Sequence, residues 1–191
     1  MINDVLAQIK DKLNGYFKLI TSSDTNQVTY PDGNKMDPLF FPENSVVLVL
    51  VNVEEEKMIR QANGYAGVIK NGIKTGLSPS IGINLLVLFV SSFSDYDQSL
   101  QFLSLIISYF QKFPVLDQYN TPALPDAVEK VTIELVTLPI DQRNELWSSL
   151  KATYRPSALY KIGVLVYHDD TTAVADQTIK DVQLKTITAL K

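Results

Sequence analysis

Cysteine is absent from the chain of 191 residues, and histidine occurs once, as His168. Without cysteine the protein forms no disulfide bond, no thiolate metal site and no cysteine nucleophile, which is typical of a reducing compartment. His168 lies in the segment YHDD, where a metal or acid–base site is one interpretation. Because a catalytic zinc needs three protein ligands and no second histidine exists, a polar strand end is the simpler one.

Clusters of basic residues and long hydrophobic runs are also missing. Lys and Arg number 17 against 21 Asp and Glu, for a formal net charge of −4, so we expect no nucleic-acid partner. The apolar runs VVLVLV and INLLVLFV are too short to cross a bilayer and are typical of buried strands. The opening segment, MINDVLAQIKDKLN, has no basic region followed by an apolar one, so we expect neither a signal peptide nor membrane insertion.

Motifs for phosphate binding and hydrolysis are absent as well. The chain contains no GxxxxGK[ST], GxGxxG, HExxH or GxSxG segment, and the glycines of NGYAG have the wrong context for a phosphate loop. We therefore expect no cofactor and no enzymatic activity. Glu54, Glu55 and Glu56 could ligate a hard cation. We favour a solvated strand end, or charges that pair with a neighbour's basic side chains, and assign no metal site.

Helical periodicity is clear in two segments. Apolar residues recur at three- and four-residue spacing over Ile2–Phe17, with Asn3 or Asp4 near the helix start and the polar segment TSSDTNQ beyond its end. A second helix is predicted in SDYDQSLQFLSLIISYFQKFP, where Ser94 and Asp97 form a capping box. Because apolar residues surround most of this helix, we expect it to be buried on more than one side.

The segment PIDQRNELWSSLKATYRPSALYKIGVLVY predicts a helix, a break and a strand. Asp141 is a plausible helix cap, and Pro156 disfavours the helical conformation of Arg155, which should end the helix there. The strand that follows has apolar residues on both faces, with Tyr160 on one of them. Such a strand belongs in the interior of a sheet.

Three side chains of this third helix could form a binding site or part of the core. Trp147, Leu150 and Tyr154 share one helix face, and core packing is the default interpretation. The guanidinium of Arg155 could bind a carboxylate in two-point fashion, for instance one of Glu54–Glu56. That pairing is a hypothesis.

Five further segments have the features of strands or a hairpin. A short strand is predicted near Val28–Tyr30, interior strands in SVVLVLVNV and IGINLLVLFVSSF, and an alternating strand in VEKVTIELVTL. VIK-NG-IKT, at 68–75, predicts a projecting hairpin, because a type I′ turn needs positive φ twice and Asn71–Gly72 tolerates it. We interpret VLDQYNTPALPD as a loop.

The order of elements, α-β-(hairpin)-β-α-β-α-β, predicts an α+β domain that is α/β-like, with helices packed on a mixed sheet. We expect a single domain over residues 1–169 and a C-terminal arm at 170–191. The arm's segment DVQLKTITAL alternates in part and could form an edge strand.

Three segments together resemble one family: VNVEEEKMIR, NLLVLFVSSFSDYDQSLQFLSLIISYFQKFPVL and LWSSLKATYRPSALYKIGVLVY. The family is the N-terminal domain of cap, or tail-terminator, proteins of extracellular contractile injection systems, the phage-tail-like particles of the antifeeding-prophage type. The similar segments occur in order and span about Met1 to Asp169. The hairpin and the short tail depart from the family pattern.

The resemblance implies a structural protein with a fold like phage tail terminators. It would form a ring, expected as a hexamer, that ends the inner tube and links it to the contractile sheath. The particle would be made in a bacterial cytoplasm and then released, kept there or docked on a membrane. The alternatives are a terminator or adaptor of a related phage tail, and a small-ligand α/β domain. In a cap protein, the Trp147–Tyr167 junction would serve as scaffold and carry no chemistry.

Overall fold

The structure is a computed structural model that describes residues 1–56, 68–70, 73–75 and 81–166. Asn71, Gly72, the glycines of NGYAG, His168 and the arm at 170–191 lie outside these residues. The described residues form three helices and eight strands: α1 (Ile2–Thr21), β1 (Val28–Thr29), β2 (Ser45–Glu55), β3 (Val68–Lys70), β4 (Ile73–Thr75), β5 (Ile81–Ser92), α2 (Tyr96–Lys112), β6 (Val115–Asp117), β7 (Val128–Val136), α3 (Ile140–Ser149) and β8 (Ser157–Val166).

Six of the strands form one sheet in the order β1-β2-β5-β8-β7-β6. Neighbouring strands are antiparallel, apart from β1 and β2, which are parallel. The predicted α+β fold with a mixed sheet and packed helices is therefore confirmed. β3 and β4 pair with each other in the register that the Asn-Gly signal predicts, with Lys70 opposite Ile73. That this hairpin projects from the domain stays a prediction.

One face of the sheet, the helical face, is covered by α1 and α2. The phenyl ring of Phe17 on α1 contacts that of Phe102 on α2 edge-on, with ring centres 5.0 Å apart. Phe102 in turn stacks on Phe93 at 4.4 Å. Alternate residues of the strands point into this core, among them Val46, Leu48, Leu85, Val87, Phe89, Val131, Ile133, Ala158, Tyr160 and Ile162. The period of two along each strand thus selects which residues the helices bury.

The opposite face, the α3 face, has a smaller core. Trp147 of α3 and the segment that contains Leu39 and Phe41 cover alternate residues of three strands: Val47, Val49, Leu88, Val90 and Leu159. This cover lies over the half of the face where β2 begins. Apolar residues occupy both faces of β2, β5 and β8 here, as expected for interior strands.

Asn14 fastens the edge strand β1 to helix α1. Its side chain is 5% exposed, its Oδ1 accepts from the backbone N–H of Val28 at 2.8 Å, and its Nδ2 donates to the carbonyl of the same residue at 3.2 Å. β1 ends at Thr29, two residues before Pro31, which has no N–H to donate to the ladder. β1 therefore pairs with only a short stretch of the edge of β2.

The predicted helix caps are wrong in detail. In α2 the cap is Asp95, whose Oδ1 accepts from the N–H of Asp97 at 3.0 Å, and Ser94 has no such role. In α3 the capping position is held by Pro139, which makes no side-chain cap, and Asp141 lies in the first turn. In α1, which starts directly after Met1, Asp4 lies in the first turn, as expected. Sequence spacing alone does not decide which of two adjacent polar residues takes the extended conformation that a cap needs.

The third helix ends earlier than predicted. α3 stops at Ser149, and Lys151 follows in the left-handed conformation with φ 50°. Arg155 and Pro156 come after this end, so the proline does not terminate the helix. Pro156 instead accepts a hydrogen bond from the N–H of Ser91 and leads into β8.

Three further expectations need correction. Helix α2 is buried on one side within the described residues, and Leu100 and Ile107 remain 40% and 38% exposed on its outer side. The second half of β2 is exposed rather than interior, because β1 pairs only with Val46 and Val47. The segment interpreted as a loop contains the short strand β6, which pairs with β7. Its three residues are too few to show a strand pattern in the sequence.

Candidate functional site

Trp147 forms the centre of an aromatic corner on the α3 face. The indole is 5% exposed and contacts the ring of Phe41 at 5.9 Å and that of Tyr154 at 5.3 Å, both edge-on. Core packing, the default for Trp147, is therefore what the structure shows. Tyr154 lies beyond the helix and is 56% exposed, so it shares no helix face with Trp147.

Arg143, which the sequence interpretation did not single out, completes this corner. Its guanidinium lies over the ring of Tyr154, 5.4 Å from the ring centre. Nε of Arg143 and Nε1 of Trp147 are both buried without a hydrogen-bond partner among the described residues. A hollow of about 520 Å³ lies beside them, lined also by Asn144 and Lys151. The four-residue spacing of Arg143 and Trp147 was the only signal in the sequence.

The hypothesis that Arg155 binds one of Glu54–Glu56 within the chain is wrong. Nη1 of Arg155 donates to Oγ of Ser92 at 2.9 Å. Ser92 lies opposite Ser45 at the start of β2, while the glutamates lie at its other end. Ten residues of extended chain separate the two ends by roughly 33 Å. The antiparallel order of β2, β5 and β8 imposes this separation.

The three glutamates lie at the end of β2 on different faces. Oε1 of Glu54 accepts from Nδ2 of Asn52 at 3.0 Å, and Oε2 of Glu56 accepts from Nδ2 of Asn84 at 2.8 Å. Residues 1–56 and 81–166 contain no group of three or more His, Cys, Asp or Glu side chains placed to hold a metal ion. The alternation of a strand explains why three consecutive carboxylates do not converge.

Glu56 borders a polar groove on the half of the α3 face that α3 leaves open. The groove has a volume of about 340 Å³ and lies between Asn84, Lys130, Glu134 and Lys161. Nζ of Lys161 and Oε2 of Glu134 are 3.5 Å apart. The floor lies at Gly163, where a Cβ would come within 2.6 Å of Oγ1 of Thr132. Charges of both signs line the groove, which gives it no preference for an anion or a cation.

Tyr160 belongs to the core of the helical face. It is 2% exposed, and its ring lies between those of Phe89 and Phe110, at 5.6 Å and 4.8 Å. Burial raises the pKa of its phenol to about 12, and burial likewise raises the pKa values of Tyr109 and Tyr30. Such phenols stay protonated at neutral pH, so Tyr160 supports packing rather than proton transfer.

The solved structure of a sheath/tube terminator of an extracellular contractile injection system, named PVC and in its extended state, has the same fold class as this chain. The match has a TM-score of 0.55 at 16% identity and covers 100% of this chain and 65% of that one. The antifeeding-prophage cap, described as the AFP tube-terminating cap, matches with a TM-score of 0.48 at 15% identity, over 74% of this chain and 48% of that one. The chain thus spans about half to two thirds of these proteins.

The chain belongs to the Pvc16 N-terminal domain family, whose model matches residues 4–181. This confirms the family resemblance that the three sequence segments indicate. No curated protein matches the chain. In the part of the chain that the structure describes, no helix has the length and apolar character needed to cross a membrane.

Proposed function

We propose that this protein is a structural cap of a contractile injection particle. It forms a ring, expected as a hexamer, that ends the inner tube and links it to the sheath. The observation that carries the proposal is the family match over residues 4–181, joined to the likeness in fold to a sheath/tube terminator over the full chain. On this proposal the protein works by recognising ends rather than by catalysis.

The surface of the domain supports an assembly role. Large apolar side chains are exposed on several elements, among them Leu19 and Ile20 of α1, Leu135 of β7 and Ile140 of α3. Leu19 and Ile20 adjoin Tyr109 and Phe113 along one groove, and a contiguous exposed apolar patch of this kind is typical of protein–protein contact.

The test is whether the protein binds the ends of the tube rather than its wall. Purified protein would be mixed with inner tubes of its own particle, and the bound amount measured by sedimentation and negative-stain microscopy. A cap binds in proportion to the number of tube ends. Shearing the tubes to half their length, at constant total tube mass, should therefore double the bound protein.

A bound amount that follows total tube mass would contradict end recognition, and no binding to tube or sheath would refute the cap role. A matched control uses tubes of a phage tail. Tight binding to those, with none to the injection-system tube, would favour the alternative of a phage-tail terminator. Unsheared tubes from the same preparation serve as the reference.

A further inference from the structure

Both edges of the six-stranded sheet are open over part of their length. On one side β1 pairs only with Val46 and Val47 of β2. On the other side β6 pairs only with the stretch Lys130–Thr132 of β7. Among the described residues, the outer edge of β2 at Leu48–Leu50 and that of β7 at Glu134–Val136 have no strand partner.

Hydrogen bonds show which backbone groups point outward at these edges. The N–H of Val46 donates to the carbonyl of Gln27 at 2.7 Å, so strand alternation turns the backbone groups of Leu48 and Leu50 away from β5. The N–H of Ile133 donates to the carbonyl of Pro114 at 2.8 Å, which turns those of Leu135 outward in the same way. Each edge therefore presents a leucine whose N–H and C=O groups point outward and have no strand partner among the described residues.

The two leucines also lie at opposite ends of one row across the sheet. Leu50 pairs with Val87, Val87 with Tyr160, and Tyr160 with Leu135. Alternation places all four side chains on the helical face, where Val87 and Tyr160 are buried. Leu50 is 38% and Leu135 is 53% exposed. Within one copy, this apolar row therefore ends in an exposed leucine at each edge of the sheet.

We propose that the outer edge of β2 in one copy of this chain pairs with the outer edge of β7 in the next, so that Leu50 and Leu135 become cross-strand neighbours. β2 and β7 run in opposite directions, because each neighbouring pair between them is antiparallel. A rotation about an axis along the strands, with little shift, therefore adds β2 as an antiparallel neighbour of β7. This contact is head to tail, the kind that closes rings.

The free stretches of β2 and β7 match in their position along the sheet as well as in the direction of their backbone groups. Following the pairings across the sheet, Val49 shares a row with Val136, and Asn52 shares one with Glu134. β2 has a bulge between Leu50 and Asn52, just before the rows that β6 occupies in the neighbour. A bulge bends a strand, so we expect the pairing between copies to end at this point, before β2 reaches the rows of β6. The Oδ1 of Asn52 also accepts from the N–H of Val53 at 2.9 Å, which closes that donor to a further strand.

The neighbour offers a place for the side chain of Leu50. A hollow of about 260 Å³ lies at the edge where β7 ends, lined by Ile107 and Leu135 from the helical face and by Leu138 and Leu146 from the α3 face. The exposed part of Ile107 on α2 belongs to this hollow. Leu50 and Leu135 are themselves apolar and would lie on the same face of the extended sheet, and cross-strand apolar pairs stabilise such pairing.

The absence of cysteine makes a cross-linking test clean. The double variant Leu50→Cys/Leu135→Cys, treated with a short bis-maleimide, should give a ladder of covalent multimers that ends at the closed ring. Each single variant should give none, since a head-to-tail contact never brings two copies of the same residue together. Leu19→Cys/Tyr119→Cys, at positions 82% and 97% exposed, is the matched control and should give no ladder.

Dimers from either single variant would show a two-fold contact and overturn the proposal. Three strand spacings keep Leu50 and Leu135 of one chain roughly 14 Å apart. Cross-links formed only within one chain would show that the two edges approach each other in the same copy, and would also overturn the proposal. The reaction is run on the purified chain and on the chain mixed with tube. No ladder in either condition also overturns it.

A charge exchange gives an independent readout. Leu50→Lys or Leu135→Glu alone should weaken association about tenfold or more, because a charge then faces an apolar side chain in a closed contact. The double variant should recover most of the loss, and failure to do so would count against the pairing. Urea unfolding of each variant checks that the monomer still folds. The inference rests on the proposed function only for ring closure, since a ladder without tube binding would retain the pairing and reject the cap.

Discussion

Replacing Gly163 with alanine should destabilise the protein although alanine is the better strand former. The new Cβ would lie 2.6 Å from Oγ1 of Thr132 and 3.4 Å from Oδ1 of Asn84. Thr132 is β-branched and stiff at χ1, so turning its Oγ1 away from the new Cβ costs free energy. Overpacking of this kind costs about 1–3 kcal/mol, against a gain of about 0.5–1 kcal/mol from the lower backbone entropy of alanine. We expect a net loss of about 1–2 kcal/mol.

The measurement is the free energy of unfolding in urea for a double-mutant cycle. Thr132→Ala removes the clashing oxygen, so Gly163→Ala should cost about 1 kcal/mol less in that background than in the wild type. Gly15→Ala is the matched control, because a Cβ at this position in α1 meets nothing within 4 Å. Helix propensity predicts that this variant gains about 1 kcal/mol. A Gly163→Ala variant as stable as the wild type, with no coupling to Thr132, would refute the reasoning.

Three further substitutions test the packing of the domain. Asn14→Ala should lower the free energy of unfolding by about 2–3 kcal/mol, because the buried backbone N–H and C=O of Val28 lose their partners; an unchanged urea midpoint would contradict this. Tyr160→Phe should reduce the loss of stability at alkaline pH. Because the folded protein raises the pKa of this phenol to about 12, its contribution to the free energy of unfolding is fully present below about pH 10 and is lost between pH 10 and 12. The wild type should therefore lose about 2 kcal/mol more than the variant over that range. Equal profiles would show that this phenol is not buried on folding. Asp95→Ala should lower the free energy of unfolding in urea by about 1 kcal/mol, and Ser94→Ala should change it hardly at all. A larger loss for Ser94→Ala than for Asp95→Ala would instead support the capping box that the sequence predicts.

The type and order of the main elements could be predicted from the sequence because they depend on local periodicity. The three- and four-residue spacing of α1 and the apolar runs of β2, β5 and β8 each match one kind of element. The same holds for β3 and β4, whose Asn-Gly turn signal is local. Helix ends were less predictable. α3 ends at Ser149, and the left-handed residue that follows is Lys151, where no proline or glycine signals the end of a helix.

The candidate site was predictable only where it coincided with packing. Trp147 and Tyr160 were expected in the core and lie there, because a large apolar side chain in a periodic segment has few other places. The Arg155 hypothesis failed because it needed the relative positions of two strand ends, which depend on the order of strands in the sheet. Arg143 was missed because its role arises from contact with Tyr154, eleven residues further along the chain.

The sequence by itself determined which segments are helices and strands, the family to which the chain belongs, and the small number of side chains suited to catalysis or metal binding. These properties follow from residue types and from spacings of two to four residues, which act within one element. Only the tertiary structure decided that Leu50 and Leu135 end a single row, and that α3 covers half of a face. Strand order and register join residues far apart in the chain, and burial on one side of an element depends on what packs there.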